Sequence, residues 1–128
     1  SFTLAGEYTG SLTDPTVLLA DDSFLTFDLE FSVREDGSCS TIREEQQVSF
    51  PFGTVTIKVE MSLLVMPDGA VEGTGTYSAS HPINLINSGD VMGQVHLETG
   101  LGSGALVLPE TPTSPMTHMG WNIRRMER

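Results

Sequence analysis

The residues best suited to acid–base chemistry lie in one stretch, TIREEQQVSF, that otherwise alternates like a β-strand. Ile42, Val48 and Phe50 share one face of this extended chain, because successive side chains of a strand point to opposite faces. The same parity places Glu44 and Gln46 among these apolar side chains. A carboxylate in apolar surroundings has a raised pKa unless it is paired, so Glu44 is a candidate general base or a deep polar anchor for a ligand. A β-bulge in this stretch would instead turn Glu44 outward.

Other candidate site residues are aromatic, thioether or imidazole side chains, and we expect them to surround the same space. They are Tyr8, Phe50, Tyr77, His81, Met92, Met116, Met119 and Trp121. Two glycines on the face of Tyr77, Gly73 and Gly75, would leave room where a filled core needs bulk. A space lined by these side chains and by a few polar groups would be an amphipathic cavity for one small hydrophobic ligand. The plainer interpretation makes Tyr77 and Trp121 core residues and His81 a surface turn residue.

Motifs for metal, phosphate or nucleophilic chemistry are missing from the sequence. No grouping of His, Cys, Asp and Glu has the spacing of metal ligands, so we expect neither a metal nor a cofactor. Gly100, Gly102 and Gly104 lie between predicted strands rather than before a helix, which is the wrong context for a phosphate loop. Cys39 is the only cysteine, so no intrachain disulfide forms, and it has no evident activating neighbour.

The elements that must position these residues are β-strands, because apolar and polar residues alternate almost throughout. In residues 23–35 the apolar set is Leu25, Phe27, Leu29, Phe31 and Val33, and residues 54–66 repeat the pattern. We predict eight strands, near residues 2–12, 23–35, 38–50, 54–66, 70–81, 91–99, 102–108 and 116–127. The alternative for residues 102–108 is a segment that covers one end of the sheet.

Turn residues predict how the strands connect. Two Asp-Gly turns, at 36–37 and 68–69, and a short break near Gly100 fall at one end of the sheet. The longer connections, residues 13–22, 82–90 and 109–115, fall at the other end. Such an antiparallel meander buries its edges by closing into an all-β, eight-stranded up-and-down barrel, and a β-sandwich is the alternative. Residues 1–128 then form a single domain.

The longer connections carry apolar side chains. PTVLLADD contains Val17, Leu18 and Leu19, and HPINLINSGD contains Ile83, Leu85 and Ile86. Three interpretations are open: these side chains plug the end of the core, form a lid over the barrel mouth, or make the contact between the subunits of a homodimer.

The charge balance narrows the set of partners. Seventeen acidic residues against six basic ones give a formal net charge of −11. Such a surface repels nucleic acid phosphates and anionic membranes, so we expect neither as a partner. No apolar run approaches the roughly 20 residues of a membrane-spanning helix, and no signal-peptide pattern is present. The compartment is therefore unknown, with the cytoplasm favoured.

Residues near the two ends of the chain form a recognisable combination. Gly6-Glu7-Tyr8 stands in the first predicted strand, and Arg124 and Arg125 stand in the last. Together with the strand count, this resembles the calycin class of small barrels, the lipocalin-like and allene oxide cyclase-like proteins, in which the first-strand motif is Gly-x-Trp. The resemblance implies that one of the two arginines packs across Tyr8 and helps to close the barrel.

The same class includes carriers and also cofactor-free enzymes, such as the spirotetronate cyclases of bacterial polyketide pathways. The resemblance therefore implies a cyclase or isomerase that performs a Diels–Alder or similar cyclisation on a small hydrophobic natural product. Holding reactants in attack geometry removes roughly 7–11 kcal/mol of a barrier. The candidate catalytic residues are Glu44, Gln46 and Tyr77, with Gln46 polarising a carbonyl and both Tyr77 and Trp121 stacking on the substrate. The alternatives are a non-catalytic carrier and an oligomeric structural module with a packed core.

Overall fold

The computed structural model describes residues 3–126, and the regular elements in this range are eight β-strands. They are β1 (Gly6–Leu18), β2 (Phe24–Val33), β3 (Ile42–Phe50), β4 (Gly53–Val65), β5 (Ala70–Ala79), β6 (Leu85–Val95), β7 (Leu101–Leu108) and β8 (Thr117–Arg125). Burial follows the alternation of the sequence, since Leu25, Phe27 and Leu29 of β2 are buried whereas the intervening Asp28 is exposed. This is the pattern of a sheet with one face on the core and one in water.

All eight strands belong to one antiparallel sheet with the order β2-β1-β8-β7-β6-β5-β4-β3. The first and last strands join, with Tyr8 opposite Arg125 and Thr13 opposite Gly120. β7 pairs with both β6 and β8, so residues 102–108 are part of a barrel strand. The sheet curls into a nearly closed up-and-down barrel, which confirms the predicted fold class and excludes the sandwich.

The barrel has a seam between β2 and β3, which are the two ends of the strand order. Within the described residues, the backbone pairing of these strands is limited to the region where they are joined. There, Val33 and Cys39 form a bridge, and the Ser40 N–H donates to the carbonyl of Ser32 at 2.9 Å. The predicted hairpin at residues 36–37 therefore forms its turn but not a long paired ladder.

The two ends of the barrel differ as the turn residues predict. Short turns at one end, the tight end, contain Gly37, Gly69 and Gly100 with positive φ angles of 86°, 89° and 71°. Glycine adopts this conformation without the steric penalty of a Cβ atom. The connections β1–β2, β3–β4, β5–β6 and β7–β8 lie at the other end, the open end, and of these only β3–β4 is a short turn.

Apolar side chains from all eight strands pack the interior of the barrel. The glycines of β5 do not leave a hollow there. A Cβ atom at Gly75 would lie 2.8 Å from Leu106 Cδ1 and 3.1 Å from Met61 Cγ, and one at Gly73 would lie 2.0 Å from the Ser62 carbonyl oxygen. The expectation that these two glycines provide room is therefore wrong, because neighbouring strands already occupy the space.

Two strand boundaries differ from the prediction. β1 continues to Leu18 rather than ending at residue 12, and β6 begins at Leu85 rather than at residue 91. Apolar and polar residues do not alternate in either added stretch, so the hydrophobic pattern does not mark them as strands, although residues of both stretches pair with neighbouring strands. The predicted strand positions 2 and 127 lie outside the described residues.

Tyr8 and Arg125 lie side by side at the tight end, because they are direct neighbours in the register between β1 and β8. The Tyr8 hydroxyl donates to the Leu4 carbonyl at 2.8 Å. The Arg125 guanidinium donates to the carbonyl of Thr3. Of the two candidate arginines, Arg125 therefore lies beside the first-strand aromatic ring, whereas Arg124 is exposed.

Candidate functional site

A buried aspartate marks the open end of the barrel. Asp14 lies on β1 two residues beyond Leu12 and continues the inward face of that strand. It is 1% exposed and is the only fully buried charged residue among residues 3–126. Burying a carboxylate costs free energy unless hydrogen bonds replace its hydration, so its partners define the site.

Three donors satisfy the Asp14 carboxylate. The Tyr77 hydroxyl of β5 donates to Oδ2. Thr16 donates its backbone N–H to Oδ1 at 2.9 Å and its hydroxyl to the same oxygen at 2.6 Å. Because β1 and β5 are four strands apart in the sheet order, the bond between Asp14 and Tyr77 crosses the interior of the barrel.

Tyr77 is held as a neutral donor. Burial raises the pKa of its hydroxyl, and the hydrogen bond to Asp14 and the charge of that carboxylate raise it further. The hydroxyl therefore stays protonated at neutral pH. Its ring meets Phe27 edge to face, with the ring centroids 6.3 Å apart and an angle of 86° between the planes, which fixes its direction.

A pocket of about 160 Å³ lies beside this pair at the open end. Its lining includes Asp14, Tyr77, Leu85, Leu108, Thr117 and Met119. The volume is below the roughly 300–1,000 Å³ of pockets that hold drug-sized ligands. It is suited to a small molecule or to one end of a longer one.

Exposed apolar side chains surround the open end, and we call them the apolar rim. They are Leu18, Phe24, Phe52, Ile83, Ile86 and Met116. In the same connections, Val17, Leu19 and Leu85 pack against the core. Of the six apolar residues that the sequence analysis names in these connections, these three therefore plug the end of the core. The other three, Leu18, Ile83 and Ile86, are exposed and belong to the apolar rim.

The predicted wall residues at the open end fall into two groups. Tyr77 and Met119 are buried and line the pocket. Met116 and His81 are exposed, and Phe50 is half-buried at the end of β3. Two of these five residues therefore contribute to the pocket.

Three other predicted wall residues lie away from the pocket. Met92 is 49% exposed in the middle of β6, so the predicted strand at residues 91–99, which places Met92 beside the open end, is wrong at its start. The earlier start of β6 moves Met92 away from the open end, and the alternation that turns Val91 inward turns Met92 outward. Tyr8 lies at the tight end, and Trp121 is buried in the core below Met119.

Glu44 and Gln46 lie at the seam and not in the pocket. Both have inward parity on β3, but β3 is an edge of the sheet, so they are only half-buried. The Gln46 side-chain amide donates to the Thr26 carbonyl of β2. This bond takes the place of the backbone hydrogen bond that a paired strand would form there. The missing partner strand explains why TIREEQQVSF carries polar groups on both faces.

The charge of Glu44 is expected to destabilise the barrel at neutral pH. Burial raises the pKa of Glu44, and the carboxylates of Asp28 and Glu30 raise it further. The folded barrel therefore favours the protonated carboxyl of Glu44. The contribution of this protonation to folding stability is complete below the ordinary pKa of 4.5 and is lost as the pH rises through the folded-state pKa. Glu44→Gln should raise the melting temperature at neutral pH and leave it unchanged below about pH 4.

Thermal unfolding at the two pH values measures this effect, and Glu45→Gln is the matched control. It removes the same charge on the same strand, but Glu45 is exposed and lies opposite Lys58. An equal stabilisation by both substitutions would indicate a general effect of net charge and would contradict the specific role of the seam.

Asp14 is the site residue that the sequence prediction misses, because that prediction ends the first strand at residue 12. The signal is present: extending the parity of Tyr8 and Leu12 by two residues points Asp14 inward. Thr13 and Pro15 beside it are typical of a loop, and they conceal the continuation of the strand.

Larger depressions lie on the outer wall of the barrel. One of about 440 Å³ is lined in part by Arg43, Lys58 and Glu60, and all three are exposed. Arg43 Nε lies 2.9 Å from Glu60 Oε2, but exposed ion pairs of this kind contribute little free energy. The pocket at the open end is the stronger candidate because its polar pair is buried.

Comparison with known proteins does not explain the site. No family model matches the chain, and neither a curated protein nor a solved structure gives a match. The barrel shape alone does not identify a family, since one fold hosts many functions. Function must therefore be argued from the site itself.

Metal and thiol chemistry lack support in the part of the chain that the structure describes. No three His, Cys, Asp or Glu side chains in residues 3–126 lie close enough together to hold a metal ion. Burial raises the pKa of the Cys39 thiol to about 11, so the thiolate is scarce at neutral pH. The same range contains no helix with the length and apolar character needed to cross a membrane.

Proposed function

We propose that the open end of the barrel binds a small hydrophobic molecule and that the chain acts on it as a cofactor-free cyclase or isomerase. The buried hydrogen bond between Asp14 and Tyr77 carries this proposal, because it places a carboxylate and a neutral hydroxyl beside the pocket. A carboxylate can accept a proton from the substrate, and a hydroxyl can donate a hydrogen bond to a polar group of the substrate.

The surroundings of this pair support the proposal. A buried charge is a costly way to fill a core, since apolar residues of similar volume are often neutral or stabilising in its place. Leu85, Leu108 and Met119 supply apolar walls, and the apolar rim offers contact to a longer chain. A polyene substrate would bury its reacting end and leave the remainder along the rim.

A non-catalytic carrier is the second candidate, and the hydrogen bonds of Asp14 favour it. Both carboxylate oxygens already accept bonds from Tyr77 and Thr16. The carboxylate becomes a base only when the ligand displaces one of these donors. A carrier requires no such exchange.

Binding of the neutral dye Nile red, followed by its fluorescence, tests the pocket. We expect saturable binding to the wild-type protein and its loss in Thr117→Trp, because the new ring would fill the pocket. Thr41→Trp places the same ring at an exposed position near the tight end and should leave binding intact. Equal binding by all three proteins would contradict the proposed site.

Turnover separates the enzyme from the carrier. Polyene ketones that can cyclise are incubated with the protein, and the products are followed by chromatography and mass spectrometry. Asp14→Asn should lower the rate by about 10²–10⁴-fold, the usual contribution of a general base, and should retain dye binding. Binding of these ketones without conversion would instead identify a carrier.

A further inference from the structure

The indole N–H of Trp121 is a buried donor without an acceptor. Trp121 is 4% exposed, and its Nε1 has no hydrogen-bond partner among residues 3–126. Buried polar groups are almost always paired, and a buried Trp normally finds a partner for its N–H. Leaving such a donor unpaired costs free energy that an acceptor from outside the chain would recover.

Trp121 lies directly below the pocket. On β8 the inward positions run from Thr117 and Met119, which line the pocket, to Trp121. At about 3.4 Å per residue, the Trp121 Cα lies roughly 7 Å farther along the strand than that of Met119. On the neighbouring strand Leu12 pairs with Trp121, and Asp14 follows two residues later.

The indole ring is fixed on one side, whereas the residue above it is adaptable. Cβ atoms at Gly93 and Gly104 would lie 2.4 Å and 2.5 Å from Trp121 Cζ2, so the ring rests on the backbone of β6 and β7. Met119 is unbranched and has three rotatable bonds, so its side chain can move aside without a change in the backbone. A ligand that displaces Met119 would reach the level of the indole.

We infer that the binding site continues past Met119 and that its ligand is a carbonyl compound whose oxygen accepts a hydrogen bond from Trp121 Nε1. The inference rests on the proposed function and deepens it by naming the class of ligand. A carbonyl oxygen is a strong acceptor carried by an otherwise apolar molecule, which fits a single donor surrounded by hydrocarbon. The donor role also differs from the stacking role that the sequence suggests for Trp121.

The indole signal reports the bond directly. The chain contains one tryptophan, so a nitrogen–proton correlation spectrum has one indole signal. Cyclohexanone and methylenecyclohexane are the probes, because they have nearly the same shape and differ in an oxygen or a CH₂ group. We expect cyclohexanone to shift the indole proton downfield and methylenecyclohexane not to. The same signal position with both probes bound would overturn the inference.

Relative affinity supplies the second measurement. Displacement of Nile red gives the affinity of each probe, and the preference is the affinity for cyclohexanone relative to that for methylenecyclohexane. This preference should be about fivefold larger in the wild-type protein than in Trp121→Phe, as expected for one hydrogen bond. Met119→Ala should strengthen binding of cyclohexanone because it opens the path. Met61→Ala removes a buried methionine outside the pocket lining and should not. Equal preferences in wild type and Trp121→Phe would refute the role of the N–H.

The outcomes distinguish the inference from the proposed function. If both probes bind and Thr117→Trp blocks them, but the indole signal and the preference stay unchanged, the proposed function stands and the inference fails. If neither probe nor the dye binds, the proposed function fails and the inference fails with it.

Discussion

Trp121→Ala is expected to lower the free energy of unfolding by about 3–5 kcal/mol, the usual loss when a buried aromatic side chain is truncated. The side chain is 4% exposed and rests on the backbone at Gly93 and Gly104, so its removal leaves a cavity that these strands cannot fill. A clamp at the barrel mouth would behave differently, with lost binding and little change in stability. Urea denaturation followed by circular dichroism measures the difference.

Ile86→Ala is the matched control for this substitution. Ile86 is also a large apolar residue on a strand, but it is 75% exposed on the apolar rim. Its truncation should change the free energy of unfolding by no more than about 0.5 kcal/mol. A Trp121→Ala protein as stable as Ile86→Ala would show that Trp121 is not part of the core.

Tyr77→Phe is expected to cost about 1–3 kcal/mol of folding free energy, because it leaves the buried Asp14 carboxylate with one donor fewer. The ring and its contact with Phe27 are kept, so the change isolates the hydroxyl. Under the proposed function it should also abolish turnover or weaken ligand binding. Denaturation and dye binding of the same variant measure both effects.

Tyr8→Phe is the control, since it removes the other tyrosine hydroxyl of the chain at the opposite end of the barrel. Its partner is the neutral Leu4 carbonyl, so the expected cost is about 1 kcal/mol, with dye binding and turnover unchanged. Equal losses of binding in both variants would indicate general destabilisation and would contradict a specific role for Tyr77.

The two tyrosines also predict the behaviour of the protein in alkali. Burial raises the pKa of both Tyr8 and Tyr77 above the ordinary value of 10, and Arg125 partly opposes the shift of Tyr8. The folded state therefore favours the protonated hydroxyls. The stability that this preference contributes is complete below pH 10 and is lost as the pH rises through the folded-state pKa values. Stability should therefore fall above pH 10, and less steeply in Tyr77→Phe.

The barrel could be predicted because its signals are local. Alternation in residues such as Leu25, Phe27 and Leu29 shows a half-buried strand, and Asp-Gly pairs show where the chain turns. The end of β1 could not be found in this way. Polar residues at the end of a strand have the composition of a loop, and only their pairing with a neighbouring strand distinguishes them from one. Asp14 was missed for this reason, because its pairing with β2 is not visible in the sequence.

The candidate site was predicted only in part for the same reason. Tyr77 and Met119 lie in strands whose parity is clear, and both line the pocket. Glu44 and Gln46 also have the right parity, but parity does not reveal which strands form the edges of a sheet. Their place at the seam depends on the strand order, which brings no partner strand to the free edge of β3.

The amino-acid sequence by itself determined the all-β class, the eight strands, the tight end and the acidic surface, because each depends on residue type or on spacing within a few positions. Only the tertiary structure decided the contact between Asp14 and Tyr77, which are 63 residues apart, the seam, and the burial of Trp121. These features depend on the register between strands and on where the sheet closes. Register and closure are set by the packing of all eight strands together, so no single stretch of sequence contains them.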